Sequence, residues 1–413
     1  MTPAELGAIR RNLDKFLAKF DGCIKTRPSR EHLRTYVGGQ IGELPRKSVE
    51  PIALDAGVPP RSLQEFLGLH RWDDQAVRRR LQQIVASEHG DADAIAVIDE
   101  TSFPKKGAET TGVQPQYCGA TGKTDNCVVT VHLGYATERF HALIDGDLYL
   151  PEETWAQNGS RRRKAGIPKS VVFREKWRIA LDLLDRTTAN GVSFRYLTAD
   201  EEYGRSGPFR RGVAAHGIHY VVEVPCSMTG WTHRPPMRGL RPWAGSSRRR
   251  RLKLTPEAPA PRQVDGLWKR GGPPRRNYHV KDTQKGPVVW DVRAGRFYPW
   301  EDGVAGEPGW LMVARNVVAG EVKYFFSNAP ADAPLTELLR IAFSRWIIER
   351  LFEDGKGEVG LDHFEVRRYL SLIRHLVLSM VSLLFLVKET DRLRGEKPLV
   401  DCVAGQRHPE CAA

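Results

Sequence analysis

The spacing of apolar residues changes along the chain and divides it into regions. From residue 1 to about 88 the apolar residues recur with helical period, ending in the amphipathic segment WDDQAVRRRLQQIVASE. From Asp91 onward, short runs rich in β-branched residues, such as AIAVIDET and NCVVTVHLGYA, predict strands. Helical spacing returns in APLTELLRIAFSRWIIERLF and continues towards the C-terminus. The pattern predicts a helical N-terminal region, a core that contains strands, and C-terminal helices.

The strand-rich region has a characteristic order of elements. After AIAVIDET, NCVVTVHLGYA and FHALIDGDLYL, the segment SVVFREKWRIALDLLDRTTANG predicts a helix closed by Gly191. The strand FRYLTADEEYG, a short helix near FRRGVAAHG and the strand YVVEVP follow. Three strands, a helix, a strand, a helix and a strand are the order expected of an α/β core with a mixed sheet, as in ribonuclease H-like folds. The segments PVVWDVRAGRFYPWEDG, WLMVARNVV and EVKYFFSNA then predict an inserted β-rich subdomain.

The N-terminal region contains two short helical patterns separated by a turn signal. In SVEPIALDAGVPPRSLQEFLG, a helix, a glycine turn at Gly57 and a second helix starting near Pro60 resemble a helix-turn-helix. In that interpretation Arg61 and Gln64 would face a groove of DNA. A plain hairpin of two helices explains the pattern equally well.

The charge is concentrated in one part of the chain. The 413 residues carry a net charge of +13, which favours a polyanionic partner. Between Trp231 and Gly286 there are 15 Lys and Arg against 3 Asp and Glu. This segment mixes arginines with aromatic residues, a combination suited to phosphates and unstacked bases, and we expect DNA contacts from Arg248, Arg249, Arg250 and Arg251. A basic linker without fixed structure is the alternative, because residues 254 to 276 are rich in Pro and Gly.

Cysteine spacing and hydropathy limit the class of protein. The six cysteines form no CxxC pair and no Cys/His cluster at zinc spacing, so neither a structural zinc nor a disulfide framework is indicated. The N-terminus lacks an apolar signal core, and the apolar run HLVLSMVSLLFLV is too short to span a bilayer. We therefore expect a reduced, soluble, cytoplasmic protein without a membrane partner.

Three carboxylates occupy comparable places in the predicted core. Asp99 ends the first core strand, Asp200 ends the strand after the first core helix, and Glu349 lies on the helix after the insertion. Carboxylates gathered at one edge of a sheet would bind Mg²⁺ or Mn²⁺, and two such ions could promote an in-line phosphoryl displacement. Taken singly, an Asp after a strand is more often a turn former or helix cap. Neighbouring acids could be proposed instead, namely Glu100, Glu201, Glu202, Glu353 and Asp354.

One helical face near the C-terminus combines charges of both signs. At about 100° per residue, Glu349, Phe352 and Lys356 return to within roughly 40° of Arg345. An exposed ion-pair face is one interpretation, since Arg and Glu four residues apart support a helix weakly. A phosphate-binding and metal-binding face is the other.

Several motifs resemble the DDE transposases of bacterial insertion sequences, in the IS701-type branch related to the IS4 group. They are, in order, VIDETSFPKKG, VQPQYCGATGKTDNC, DLYLPEETW, GIPKSVVFREKW, LTADEEYG and RWIIERLFEDGKGEVGLDHFEVRRY, and the resemblance covers residues 10 to 390 approximately. It implies a ribonuclease H-like catalytic domain with an inserted β-rich domain. It places Asp99, Asp200 and Glu349 on the DDE triad as catalytic, metal-binding residues, with Arg345 and Lys356 as the flanking phosphate-binding cations.

Further positions around the third acid either match the family signature or depart from it. Trp346 matches an aromatic that relatives use near a flipped base, although a buried core tryptophan fits equally well. The signature tyrosine three residues before the arginine is replaced by Ala342, and Gly355 predicts that the helix frays before Lys356. The segment LDHFEVRRY, with its acidic and histidine side chains, is assigned to packing or to binding of the transposon end: Asp362, His363 and Glu365.

The resemblance implies cut-and-paste transposition. Terminal inverted repeats would be bound, cleaved with two Mg²⁺ or Mn²⁺ ions, and joined through their 3′-OH ends to target DNA, in a synaptic homodimer associated with the bacterial nucleoid. Two alternatives remain open: a catalytically decayed DNA-binding derivative, and a ribonuclease H-like nuclease without strand transfer. The predicted domains are a helical DNA-binding domain (1–88), the first part of the core (89–227), the basic β-rich insertion (228–328), the second part of the core with C-terminal helices (329–392) and a tail (393–413).

Overall fold

The computed structural model describes residues 3–239, 252–269, 271–283 and 286–396. These residues form twelve α-helices: α1 Pro3–Ala18, α2 Arg27–Ile41, α3 Val49–Asp55, α4 Pro60–Gly68, α5 Asp74–His89, α6 Gly159–Ala165, α7 Lys176–Ala189, α8 Glu201–Gly204, α9 Gly207–Ala215, α10 Leu335–Ala342, α11 Trp346–Val359 and α12 Tyr369–Glu396.

The strands are concentrated between the two helical regions. The described part of the chain contains β1 Ile95–Pro104, β2 Gln114–Cys118, β3 Lys123–Ala136, β4 His141–Leu148, β5 Tyr196–Ala199, β6 His219–Glu223, β7 Thr229–Trp231, β8 Met237–Gly239, β9 Leu252–Leu254, β10 Arg262–Gln263, β11 Arg276–Thr283, β12 Gly286–Glu301, β13 Val304–Ala305, β14 Gly309–Asn316 and β15 Val322–Ser327.

The chain divides into two compact units. The helical unit comprises the described parts of Met1–Leu81 and Glu353–Ala413, and the sheet unit comprises those of Gln82–Phe352. The first and last portions of the described chain therefore share one unit, whereas we expected residues 329–392 to belong with the sheet. The domain boundaries given above stay predictions.

Helix α12 is the centre of the helical unit. Residues 371–385 of this helix are buried on all sides, which is the pattern of a helix surrounded by others. Polar side chains in its buried stretch, residues 371–385, are paired: Tyr36 of α2 lies 2.8 Å from His375 Nδ1, and Gln40 donates to Ser379 at 2.8 Å. These hydrogen bonds satisfy polar groups that would otherwise be costly to bury.

Helix α12 is also the one described helix long and apolar enough to cross a membrane, by length and composition. The apolar run that we considered too short is part of this longer helix. However, 83% of its most apolar stretch is buried inside the protein. A core helix of a soluble protein passes the same test, so one such helix is weak support for a membrane span.

A mixed sheet forms the framework of the other unit. The strand order is β10-β7-β12-β14-β15-β6-β5-β1-β3-β2, with β4 on β3 and with β11 and β13 on β12. Only the central pairs β1–β5 and β5–β6 are parallel among the described strand pairs. The strands between residues 286 and 327 continue the core sheet directly, because β15 pairs with β6. The mixed α/β, ribonuclease H-like fold predicted from the order of elements is confirmed.

Several predicted helix boundaries are wrong. Helix α7 begins at Lys176, six residues later than the predicted start, because the preceding segment forms a turn whose carbonyls at Pro168 and Val171 accept hydrogen bonds from Arg162. Strand β2 and helix α6 were not predicted. The continuous helix expected around Arg345 is interrupted by a 3-10 turn, Phe343–Arg345, after which α11 begins.

Glycine 355 does not fray the helix as we expected. Helix α11 continues to Val359, and Gly355 is buried. A Cβ atom at this position would lie 3.2 Å from Leu361 Cδ2, so the glycine allows the returning chain to pack closely. The Leu361 amide also donates to the Gly355 carbonyl at 2.9 Å, which fixes this close approach.

Candidate active site

Two carboxylates lie where the parallel pairing of β1 with β5 ends. In the pairing of β1 with β5, Ile98 lies opposite Ala199. Asp200 is the first residue after β5, but Asp99 lies within β1, so the prediction that Asp99 ends this strand is wrong. The strand continues to Pro104 because it stays paired with β3 after its pairing with β5 stops at Ile98. Neighbouring strands are about 4.8 Å apart. The register therefore places Asp99 and Asp200 at the same level of adjacent strands.

Asp200 is held in place by a helix that starts directly after it. Its Oδ1 atom accepts hydrogen bonds from the amides of Glu202 at 3.0 Å and Tyr203 at 3.4 Å, so it is the N-cap of α8. The alternative interpretation of an aspartate after a strand, as a helix cap, is thus confirmed for Asp200. One oxygen of Asp200 has a capping role, and the position next to Asp99 is an additional property.

The two carboxylates hold their protons more tightly than ordinary aspartates. Burial raises the pKa of Asp99 to about 7, and the Asp200 charge adds to the shift while Arg345 opposes it. Burial likewise raises the pKa of Asp200 to about 6, with Glu100 as the next cause and Arg345 again opposing. The site therefore concentrates negative charge in a partly desolvated position.

Arg345 lies between two of the predicted triad residues. Its NH1 atom is 2.8 Å from Asp99 Oδ2, and its NH2 atom is 2.7 Å from Glu349 Oε1. The Asp99 side chain is 13% exposed and the Glu349 side chain 54%, so the arginine links a buried carboxylate to an open one. Burial lowers the pKa of Arg345, but the Asp99 and Glu349 charges outweigh that effect and raise the pKa above its ordinary value.

Helix α11 is positioned by close packing on β3. A Cβ atom at Gly134 would lie 3.3 Å from Leu351 Cδ1, which shows how closely this strand approaches the helix. Fully buried His132, which pairs with Asp99 across β1 and β3, has its ring 5.4 Å from that of Phe352. His132 fits because its neighbour Gly146 has no side chain; a Cβ there would lie 2.3 Å from His132 Nδ1. These contacts fix the helix that carries Glu349.

The sequence did not indicate a second set of polar contacts beside the site. Glu100, which we considered as an alternative ligand, accepts hydrogen bonds from Lys176 at the start of α7 and from the buried Tyr203 hydroxyl at 2.7 Å. Burial lowers the pKa of Lys176, but the Glu100 charge outweighs it and raises the pKa. Both oxygens of Glu100 thus have protein partners.

The structure places the other predicted site residues in different surroundings. Trp346 is 46% exposed, so the interpretation as a buried core tryptophan is wrong. Lys356 lies near the end of α11, in the part of that helix that belongs to the helical unit. Arg61 and Gln64 of α4 are exposed and belong to the same unit. The predicted DNA-binding arginines lie outside the described residues: Arg248, Arg249, Arg250 and Arg251.

The donor chemistry of the site suits a divalent cation. Within the described ranges, no three His, Cys, Asp or Glu side chains are grouped closely enough to hold a metal ion. Asp99 and Asp200 nevertheless supply hard oxygen donors of the type that Mg²⁺ and Mn²⁺ prefer. Their raised pKa values reflect burial and negative neighbours, the electrostatic conditions that a bound cation relieves. Glu349, the third predicted ligand, is engaged by Arg345.

The sequence is similar to those of known proteins. The family model described as DDE superfamily endonuclease matches residues 19–287. A probable transposase for insertion sequence element IS701, from Microchaete diplosiphon, is 33% identical over 190 residues, which are 45% of this chain and 46% of the relative. The match thus spans about half the length of that relative. The resemblance to IS701-type transposases is confirmed, and the family match covers Asp99 and Asp200. Because the family model matches more than half of the residues of this chain, the chain belongs to the DDE superfamily of endonucleases.

Proposed function

We propose that this protein is a DDE transposase that binds the terminal inverted repeats of an insertion sequence, cleaves the DNA and joins the 3′-OH ends to a target. The observation that carries the proposal is the group formed by Asp99, Asp200, Arg345 and Glu349. Two carboxylates on adjacent parallel strands, with an arginine reaching a third acid from a helix, are suited to phosphoryl transfer and need no histidine or cysteine nucleophile.

Asp99, Asp200 and Glu349 would hold two Mg²⁺ or Mn²⁺ ions. When bound, such ions lower the pKa of an attacking water or hydroxyl and stabilise the charge on the leaving oxygen. Asp99 and Asp200 are fixed by the strand register and by the cap of α8, so their oxygens are preorganised. Glu349 is more exposed and is held by a partly exposed ion pair, which leaves its carboxylate able to change partners.

Arg345 has a second role in this proposal. It pairs with both Asp99 and Glu349, and its side chain is 24% exposed, so a scissile phosphate could reach it. Its planar guanidinium can exchange a carboxylate for a phosphate without losing its charge. Trp346, exposed beside it, and Lys356, further along α11, would contact the transposon end.

The neighbouring Glu100 is a weaker choice of ligand. Lys176 and Tyr203 already satisfy its carboxylate, and Glu100 follows the residue that pairs with Arg345. We therefore assign the first catalytic position to Asp99. Glu100 would hold the start of α7 and the α8 turn in place around the site.

A two-step assay tests the proposed reaction. Purified protein is incubated with a labelled duplex carrying its element's terminal inverted repeat and with a target plasmid, in Mg²⁺ or in EDTA. We expect a metal-dependent cut at the element boundary, followed by a joined product. Glu349→Gln should abolish both steps. Glu201→Gln, an exposed acid adjacent to Asp200, serves as the matched control and should retain them.

The pattern of products separates the alternatives. Cleavage without a joined product would favour the ribonuclease H-like nuclease. Binding of the repeat without cleavage in either condition would favour the decayed derivative. A homodimer that holds two ends predicts that cleavage of one labelled end depends on the presence of the other.

A further inference from the structure

Helix α4 presents a polar face on the surface of the helical unit. Leu63, Phe66 and Leu67 are fully buried and hold the helix against its neighbours. Arg61 and Gln64 are exposed and lie three residues apart, so they project from the same side. Helix α3 precedes α4 through a turn in which Gly57 has φ +65°, a conformation that glycine adopts without strain.

The beginning of α12 fixes the end of α4. Buried Arg374 donates to the carbonyls of Leu67 at 3.1 Å and Phe66 at 3.3 Å, in the last turn of α4. A cation at this place satisfies terminal carbonyls and suits the helix dipole. A Cβ atom on Gly68 would lie 3.1 Å from Ser371 Oγ, so the two helices approach closely. This packing brings the chain just before α12 beside the exposed face of α4.

A basic cleft results from this packing. It has a volume of about 340 Å³ and includes Arg61 and Gln64 on one side and Arg367, Arg368 and Ser371 on the other. The arginines are exposed, and Glu65, the one acid in the lining, is paired with Arg61 at 2.8 Å. That ion pair is exposed and contributes little, so Arg61 can leave it for another partner.

We propose that the exposed side chains bordering this cleft form a docking surface for duplex DNA, assembled from two segments that are about 300 residues apart in sequence. Arg61 and Gln64 have the side chains that read guanine and adenine edges in a major groove. Arg367 and Arg368 would contact the phosphates beside it. The inference rests on the proposed function for its DNA substrate. It adds that residues just before α12 complete the surface of the N-terminal helices.

The lining favours a duplex over other polyanions. None of the described lining residues is aromatic, so the cleft lacks the stacking platforms that single strands require. In duplex recognition, phosphate contacts position the protein and base contacts specify the sequence. The cleft offers both kinds of contact: Arg367 and Arg368 for phosphates, and the α4 face with Arg61 and Gln64 for bases.

Binding measurements in EDTA test the cleft independently of cleavage. The full-length protein is titrated against two labelled duplexes, one with the terminal inverted repeat and one scrambled, at about 50 and about 200 mM salt. Arg61→Ala and Arg368→Ala probe the two sides of the cleft. Arg27→Ala is the matched control, because Arg27 is 89% exposed, pairs with Glu31 four residues on, and lies outside the cleft lining.

Each variant has its own expected result. Arg368→Ala should weaken binding of both duplexes in similar proportion and make the salt slope shallower by about 0.9. Arg61→Ala should reduce the preference for the repeat by roughly tenfold. If both behave like Arg27→Ala while the wild type binds the repeat, the cleft assignment fails and the proposed function stands. If the wild type binds neither duplex, both fail. Unchanged thermal unfolding of these exposed variants excludes misfolding as the cause.

Discussion

Replacing Asp200 by asparagine should stabilise the protein at alkaline pH in the absence of divalent ions. The pKa of Asp200 is raised from 3.8 to about 6, mainly by burial, so the folded state favours the protonated carboxyl. The pH dependence follows from linkage between protonation and folding. Protonated Asp200 contributes its full stability below pH 3.8, and this contribution is lost as the pH rises through about 6. Asparagine cannot ionise, and its amide oxygen can keep the N-cap of α8.

The size of the effect follows from the shift. At pH 8 the ionisation of Asp200 costs on the order of 3 kcal/mol of folding free energy, at 1.36 kcal/mol per pKa unit. For the sheet unit, Gln82–Phe352, which contains Asp200, about 3 kcal/mol corresponds to an increase in Tm of roughly 6–12 °C. A further gain is expected from Asp99, because the Asp200 charge is one cause of the raised pKa of Asp99.

Thermal and urea unfolding in EDTA between pH 4 and pH 8 provide the assay. The variant should be more stable than the wild type at pH 8, and the difference should shrink towards zero at pH 4. Glu201→Gln, at an exposed neighbouring position, should stay within about 0.5 kcal/mol of the wild type throughout. An Asp200→Asn protein that is less stable at pH 8, or equally stabilised at both pH values, would refute the reasoning.

Three further predictions concern the same site. At pH 8, Mg²⁺ or Mn²⁺ should raise the Tm of the wild type and have a much smaller effect on Asp200→Asn; an equal rise in both proteins would argue against a cation at these carboxylates. Arg345→Ala should lower the free energy of unfolding by about 1–3 kcal/mol at pH 8, with a smaller loss at pH 5 where Asp99 is protonated, and equal losses in urea titrations at the two pH values would contradict this. Gly146→Ala should destabilise the protein by roughly 1–3 kcal/mol because the new Cβ would meet His132 Nδ1 at 2.3 Å, and unchanged unfolding would show that this packing is not tight.

The two aspartates of the site could be recognised from local patterns. Asp99 and Asp200 are each the first acid after a short apolar run, and such runs predict strands. Spacing also predicted the pair of Arg345 with Glu349, which the structure contains even though Arg345 lies in a 3-10 turn. The contact of Arg345 with Asp99 joins residues 246 positions apart. No periodicity within either segment encodes it.

The failures have a common physical origin in tertiary packing. Gly355 reads as a helix breaker because local propensity is unfavourable, but packing against Leu361 outweighs roughly 1 kcal/mol of propensity. The late start of α7 depends on hydrogen bonds from Arg162, which lies in a helix that was not predicted. The place of α12 beside the N-terminal helices likewise depends on which apolar faces meet, and hydropathy alone does not specify the partner.

Cleavage of a labelled terminal inverted repeat in Mg²⁺ tests the central claim most directly, with Asp99→Asn, Asp200→Asn and Glu349→Gln run beside the wild type and Glu201→Gln. The proposed site predicts that wild type and Glu201→Gln cut at the element boundary, whereas each of the other three loses cleavage by at least roughly a hundredfold and still binds the repeat. Cleavage at the wild-type rate by any of those three variants would contradict the assignment of the active site.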